Sequence, residues 1–450
     1  MPAPTPAALP ALDFRNTNTL WCSVLVETLF RCGVRTAVVS PGSRSTPLTT
    51  ALARHAGIEA IPVLDERSAA FFALGQAKRT LRPVVLVCTS GTAAANYLPA
   101  IVEARESGAP LLAITADRPP ELRDCASGQT IDQQKLFGGH VDFYHELAVP
   151  QPRLELLRYL RQTISHACAR TLAPHAGPVH LNAPFRDPLA PVVDASAEPL
   201  RGALDERFFA GLDEANCAES SVTWTPPQTA RGVIVAGPAN PEDPVGYART
   251  VGRIARTLGW PVLADALSPV RHQNAEGAVV VAHYDALLRD AALAESLAPE
   301  AVLCVEGWPT SKVLRGWLER SGAEVTLVSA NPANRDGLHL RTRHIVEDIG
   351  SLIPAAARPE SEYAARWIDA ETAAAARIDC ALEAEAEPFE PKAAWLLARH
   401  LPEATPLFVA SSMPVRDVEY FWPQNARRVH FNFNRGANGI DGTLSTALGV

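Results

Sequence analysis

Short, unbroken apolar runs separated by amphipathic segments dominate the first 185 residues. Thr36–Val39, Ile61–Leu64, Val84–Cys88, Leu111–Thr115 and Val179–Leu181 each read as a strand. They are apolar throughout rather than alternating, so both faces need cover, which a parallel sheet between helices provides. The intervening helices are Leu20–Phe30 (capped by Thr17 or Asn18, stopped by Gly33), a segment from about Arg67 to Lys78, and one starting near Thr92. The pattern restarts at Gly232–Gly237 and continues through Pro261–Ala264, Ala301–Val305 and Glu324–Val328 to about Ile353. A third, shorter round comprises a helix at Lys392–Arg399, strands at Pro406–Val409 and Val429–Phe431, and the opening turns of a helix at Thr443–Val450. The fold class is therefore α/β, with three doubly wound parallel-sheet domains, the third incomplete, because two strands and part of a helix cannot bury a core of their own. The expected division is 1–190, a linker at 191–230, a central domain at 231–355, a connecting segment at 356–390 and a last domain at 391–450.

Several classes of function are disfavoured. The net charge is −8 with no basic cluster, which argues against a nucleic-acid partner. No apolar run is long enough to span a bilayer, and the Pro- and Ala-rich start carries no basic residue before Arg15, unlike a secretory signal. The eight cysteines are scattered without a C-x-x-C pair, as in a cytoplasmic protein with reduced thiols and no zinc site.

Chemistry-bearing residues gather where the strands end. Ser40-Pro-Gly-Ser-Arg-Ser-Thr-Pro47 follows the first strand and offers backbone N–H groups, hydroxyls and the Arg44 guanidinium, a set that suits a carboxylate or phosphate. A plain strand-to-helix turn is the alternative. Leu64-Asp-Glu-Arg67 follows the second strand, where Glu66 is either an acid–base group or part of a helix cap. Thr89-Ser-Gly-Thr-Ala-Ala-Ala-Asn96 is a run of small residues that permits close approach to the backbone or merely tight packing. Thr115-Ala-Asp-Arg-Pro-Pro-Glu-Leu122 sets Arg118 on a rigid loop, either as an anion clamp or solvated. In the last segment, Ser411-Ser-Met-Pro-Val-Arg416 and Asn434-Arg-Gly-Ala-Asn-Gly-Ile-Asp-Gly442 follow strands, the latter rich in glycine.

Taken in order, Pro-Gly-Ser-Arg-Ser-Thr-Pro-Leu, Asp-Glu-Arg, Thr-Ser-Gly-Thr-Ala-x-Ala-Asn, Thr-Ala-Asp-Arg-Pro-Pro-Glu-Leu and Arg-Gly-Ala-x-Gly-Ile-Asp-Gly resemble the 2-succinyl-5-enolpyruvyl-6-hydroxy-3-cyclohexene-1-carboxylate (SEPHCHC) synthases of menaquinone biosynthesis, a thiamine-diphosphate enzyme family. The resemblance covers nearly the whole chain, most loosely in the centre. It implies pyrimidine-binding, central and diphosphate-binding domains, a homodimer or homotetramer, and thiamine diphosphate with Mg²⁺ as cofactors. The implied transferase reaction decarboxylates 2-oxoglutarate and adds the succinyl carbanion equivalent to isochorismate, with no nucleic acid or membrane as partner.

The same resemblance assigns roles. Glu66 matches the glutamate that activates the cofactor's aminopyrimidine. Ser43, Arg44, Arg118, Gln129, Lys312, Arg416 and Arg435 match substrate-binding positions, and basic residues suit dianionic substrates. Ser411, Ser412, Gly439, Ile440 and Asp441 match the cofactor side. Two departures stand out. The family commonly has Lys-Arg where this chain has Lys312-Val313, and Arg315, three residues on from Lys312, is the expected replacement. The family's Gly-Asp and Asn-Asn metal-binding motifs are not found up to Val450, so the metal ligands are expected beyond it and the sequence as written is expected to be a C-terminally shortened form with weak cofactor binding. Another thiamine-diphosphate carboligase, or a non-catalytic binding or assembly module, are the competing expectations.

Overall fold

The computed structural model describes residues 12–212, 222–354 and 361–450. They form two compact units: the described residues up to 212 with Asp441–Val450, and those from 222 to Ile440. The first unit runs α1 (Thr17–Arg31), β1 (Thr36–Val39), α2 (Thr46–Arg54), β2 (Glu59–Pro62), α3 (Glu66–Thr80), β3 (Val84–Cys88), α4 (Thr92–Ala95), α5 (Leu98–Ser107), β4 (Leu111–Asp117), β5 (Phe143–Glu146), α6 (Leu154–Arg170) and β6 (Val179–Pro184). The six strands are all parallel in the order β2-β1-β3-β4-β6-β5. One apolar cluster, fed by Leu20, Leu25, Leu160 and Ile164, covers one face; another, fed by Phe71, Leu74 and Ile101, covers the other.

Local chemistry sets the boundaries. The α1 cap is Asn16 rather than Thr17 or Asn18. Its side chain accepts the Thr19 N–H at 2.9 Å and the Thr19 hydroxyl accepts the Asn16 N–H at 3.0 Å, a reciprocal box. Asn18 instead donates to the Arg186 and Pro188 carbonyls. Strand β2 lies two residues before its expected place, because pairing with β1 aligns Thr36 with Glu59 and Val39 with Pro62. Leu64 is therefore outside the strand and 83% exposed. Part of the expected linker is core: Ala197, Leu204, Phe208 and Phe209 are buried in the first unit, where their apolar surface leaves water.

The second unit contains β7 (Val222–Trp224), β8 (Gly232–Ala236), α7 (Pro244–Leu258), β9 (Val262–Ala264), α8 (Pro269–His272), β10 (Val280–Val281), α9 (Tyr284–Leu287), α10 (Ala291–Ser296), β11 (Ala301–Val305), α11 (Lys312–Ser321), β12 (Glu324–Val328), β13 (Thr342–Ile345), β14 (Leu352–Pro354), α12 (Glu362–Ala384), α13 (Glu390–His400), β15 (Pro406–Val409), α14 (Met413–Phe421) and β16 (His430–Phe433). Its main sheet is parallel in the order β10-β9-β8-β11-β12-β13, with β14–β7 and β15–β16 as separate parallel pairs. Helix α14 is tied in by a buried ion pair between Arg271 and Glu419 at 3.3 Å, both side chains fully excluded from solvent. Arg271 also donates to the Trp422 and Glu419 carbonyls, and Glu419 accepts from the Ala266 N–H and the Tyr284 hydroxyl, yet burial and nearby Asp265 still push the Glu419 carboxyl well above its ordinary range. The final helix, α15 (Thr443–Gly449), belongs to the first unit, where the Thr446 carbonyl lies against Gly75 of α3 and Gly449 against Phe72.

Candidate functional site

In the first sheet the chain passes from β1 to β2 on one side, then crosses to β3 on the other. The β1/β3 crevice is thus the topological switch point, the place where open α/β sheets bind ligands beyond the strands' carboxyl ends. Four of the sequence motifs converge around this end of the sheet. After β1, a single 3₁₀ turn at Ser43–Ser45 exposes Ser43 and buries Arg44, which is 8% exposed. Arg44 donates to the Phe185 carbonyl at 2.8 Å and lies 3.8 Å from Asp187, whose carboxylate is 75% exposed. Its Nε is buried without a partner. After β4, Arg118 donates to the Ser90 hydroxyl. Burial and the positive charge of Arg44 lower the pKa of Arg118, against the opposing pull of Asp117 and Asp187. Two guanidiniums at one strand-end crevice suit a carboxylate ligand.

The turn after β3 contributes Ser90, which is buried, and Gly91, whose φ of +87° starts α4. A Cβ at Gly91 would also lie 3.3 Å from the Gln129 carbonyl oxygen, so glycine serves both the angle and the approach of the loop. The Gln129 side chain is exposed at this end.

Glu66 opens α3. The capping role falls to its neighbour Asp65, which accepts the Ser68 N–H at 2.8 Å. The Glu66 carboxylate, half-buried, makes no hydrogen bond or ion pair among the described residues. Burial above all, then Cys88, pushes the Tyr97 hydroxyl well above its ordinary range, with the Glu66 charge as the smallest contribution. Without a partner among the described residues, the Glu66 carboxylate is available to accept a hydrogen bond from a ligand. Asp441 pairs with Arg67 at 3.5 Å, next to Glu66.

The other candidates belong to the second unit. Ser411 is buried and donates to the Asn434 carbonyl at 2.9 Å, joining the loops after β15 and β16. Ser412 has φ +75°, and its carbonyl accepts from Arg416 at 2.6 Å. Arg435 follows Asn434, and Gly439 and exposed Ile440 lie further along that loop. Lys312 is exposed at the start of α11; Val313 packs on the core, and the Arg315 Nε is buried. Sequence reasoning named neither Ser90 nor the buried polar residues Asp117, Gln133 and Asn182 as site residues. Ser90 stood in a highlighted motif, whereas Gln133 carries no periodic or spacing signal.

Known families and proteins match most of this chain. Residues 22–136 match the model for the thiamine pyrophosphate enzyme N-terminal TPP binding domain, and residues 206–409 match that for the thiamine pyrophosphate middle domain. Fold and matches together define a thiamine-diphosphate enzyme. Among curated relatives, the SEPHCHC synthase of Acaryochloris marina is 49% identical over 98% of this chain and 78% of its own length. Those of Nostoc sp. and Microcystis aeruginosa are each 50% identical over 98% of this chain, and 77% and 78% of their own lengths. The chain belongs to the SEPHCHC synthase family.

Proposed function

We infer that this protein is a SEPHCHC synthase, a thiamine-diphosphate-dependent transferase of menaquinone biosynthesis that uses 2-oxoglutarate and isochorismate. The observation that carries the reading to the site is the placement of Arg44, with its buried unpartnered Nε, and Arg118 at the switch point of a sheet that also bears an uncommitted Glu66. Thiamine diphosphate supplies the electron sink for decarboxylation and transfer of the succinyl group. Glu66 would accept a hydrogen bond from, or share a proton with, the pyrimidine of the bound cofactor. Arg44 and Arg118 orient substrate carboxylates, with Ser43 and Gln129 completing the set. Lys312, Arg416 and Arg435 are assigned further substrate contacts, and Ser411, Ser412, Gly439, Ile440 and Asp441 contacts to the cofactor.

Mg²⁺ on the diphosphate is part of the same proposal. Among the described residues no group of three or more His, Cys, Asp or Glu is placed to hold a metal, so no side chain here is given that role. A homodimer or homotetramer is proposed too, supported by Leu64, Leu444 and Leu448, which the first unit leaves largely exposed. Cytoplasmic location is likewise an inference; among the described residues no helix is long and apolar enough to cross a membrane. The three-domain division belongs to this reading as well. The test is incubation with thiamine diphosphate, Mg²⁺ and both substrates, following carbon dioxide release and product mass. The expected result is a product requiring both substrates; carboligation of pyruvate without isochorismate would overturn it.

A further inference from the structure

Neither Ser90 nor Arg118 is positioned by its strand alone. Gln133, 1% exposed, stands between the loops that carry them. Its side-chain oxygen accepts the Gly91 N–H at 2.7 Å. Its amide nitrogen donates to the Ala116 carbonyl at 3.2 Å and to the Asn182 side-chain oxygen at 3.1 Å. Asn182 donates to Asp117 at 2.9 Å, and the other Asp117 oxygen accepts the Arg118 N–H at 2.7 Å. Arg118 returns to the Ser90 hydroxyl. The bonds close a ring: Ser90, Gly91, Gln133, Asn182, Asp117, Arg118 and back to Ser90. Outside it, Arg123 pairs with Asp117 at 3.0 Å, and the Thr115 hydroxyl donates to Asn182 at 3.0 Å.

We propose that Gln133 is a positioning residue for substrate binding, fixing the distance between the Ser90–Gly91 turn and Arg118 through this ring. The inference rests on the assignment of Arg118 to substrate carboxylates. The ring needs a carboxamide: one acceptor aimed at Gly91, two donors aimed at Ala116 and Asn182. A carboxylate at 133 still accepts from Gly91 but faces two oxygens with nothing to donate. Turning the Asn182 amide round does not rescue it, because the Asn182 oxygen then meets Asp117. A protonated carboxyl regains one of the two donors. Gln133 touches no reacting atom in this scheme; it acts through Ser90 and Arg118.

The experiment compares wild type, Arg118→Ala, Gln133→Leu and Gln133→Glu, using equilibrium binding of glutarate (the 2-oxoglutarate skeleton without its reacting carbonyl) and of isochorismate separately to the holoenzyme. The dicarboxylate that R118A weakens is the probe for the Gln133 variants. Q133L should weaken its binding roughly 10-fold, since small misplacement of an anchoring group has effects of this order or larger. Q133E should weaken it at about pH 8 and recover toward wild type at about pH 6, as its buried carboxyl takes up a proton. Should Q133L fail to fold, Q133E across pH carries the test. Lowered thermal stability with unchanged affinity for the probe would make Gln133 a purely structural residue and overturn the proposal. A pH-independent Q133E defect would also overturn it. If R118A weakens neither dicarboxylate, the underlying assignment fails; if R118A weakens one and Gln133 changes do not, the inference alone fails.

Discussion

Both units contain a parallel sheet with a switch point, β1/β3 in the first and β8/β11 in the second, yet the two crevices differ in what they leave unsatisfied. At β1/β3 two arginines, Arg44 and Arg118, follow strand ends, and Arg44 retains an unpartnered Nε. At β8/β11 the strand ends close on themselves: a Cβ on Gly237 would collide with the Gly307 carbonyl. The acid there, Glu306, accepts the Ser329 hydroxyl at 3.0 Å, and Arg335 donates to the Glu306 carbonyl at 3.0 Å. Topology therefore offers two places to bind a ligand, and the unpartnered Arg44 Nε and uncommitted Glu66 favour the first. Fold alone does not define a site.

The largest test of this contrast is Glu66→Ala against Glu306→Gln. Loss of Glu66 should lower kcat by about 10²–10⁴-fold, the usual scale for an acid–base group, while E306Q should leave kcat near wild type. Equal losses in steady-state rates would erase the distinction between the crevices. Next, Arg44→Ala and Arg118→Ala should each raise the KM of a carboxylate substrate by roughly 10–100-fold, from losing a charge-assisted hydrogen bond of about 1.5–3 kcal/mol. High salt should weaken wild-type binding and affect the variants less. Third, Gly237→Val should destabilise the second unit by about 1–3 kcal/mol through overpacking, seen as a lower Tm with kcat/KM of the folded fraction retained. An unchanged Tm would mean that crevice is open after all.

The smallest effect concerns pH. Burial raises the Glu306 pKa above its ordinary 4.5. The folded state thus holds the proton more tightly than the unfolded chain, so this contribution to stability is complete below about pH 4.5 and is lost as pH rises through the raised value. Glu306→Gln removes the loss and should raise Tm slightly at neutral pH, with the advantage shrinking as the solution is acidified. Thermal melts across pH check the sign.

The sequence revealed central strands well and edges poorly, for a physical reason. β1, β3, β11 and β12 coincide with largely apolar runs, because the interior of a covered sheet demands them. β5 reads Phe-Tyr-His-Glu and β13 Thr-Arg-His-Ile; both are edge strands, half-buried, and carry no such run. Phe208 and Phe209 were hidden in a Pro-, Ala- and acid-rich stretch whose composition resembled a linker. Arg44, Glu66 and Arg118 drew notice because each follows a strand that could be placed. Gln133 did not, since its three bonds arise only when a loop folds back across the ends of β4 and β6.

The position of α15 on α3 also orders events during synthesis. Every residue of the second unit leaves the ribosome before Thr443–Gly449 does. The surface of α3 around Phe72 and Gly75 consequently waits, wet and exposed, while the second unit folds. Closing so long a loop adds little entropy cost beyond that of a shorter one, so delay rather than distance is the burden. In that interval the nascent first unit presents an uncovered helix surface that favours self-association.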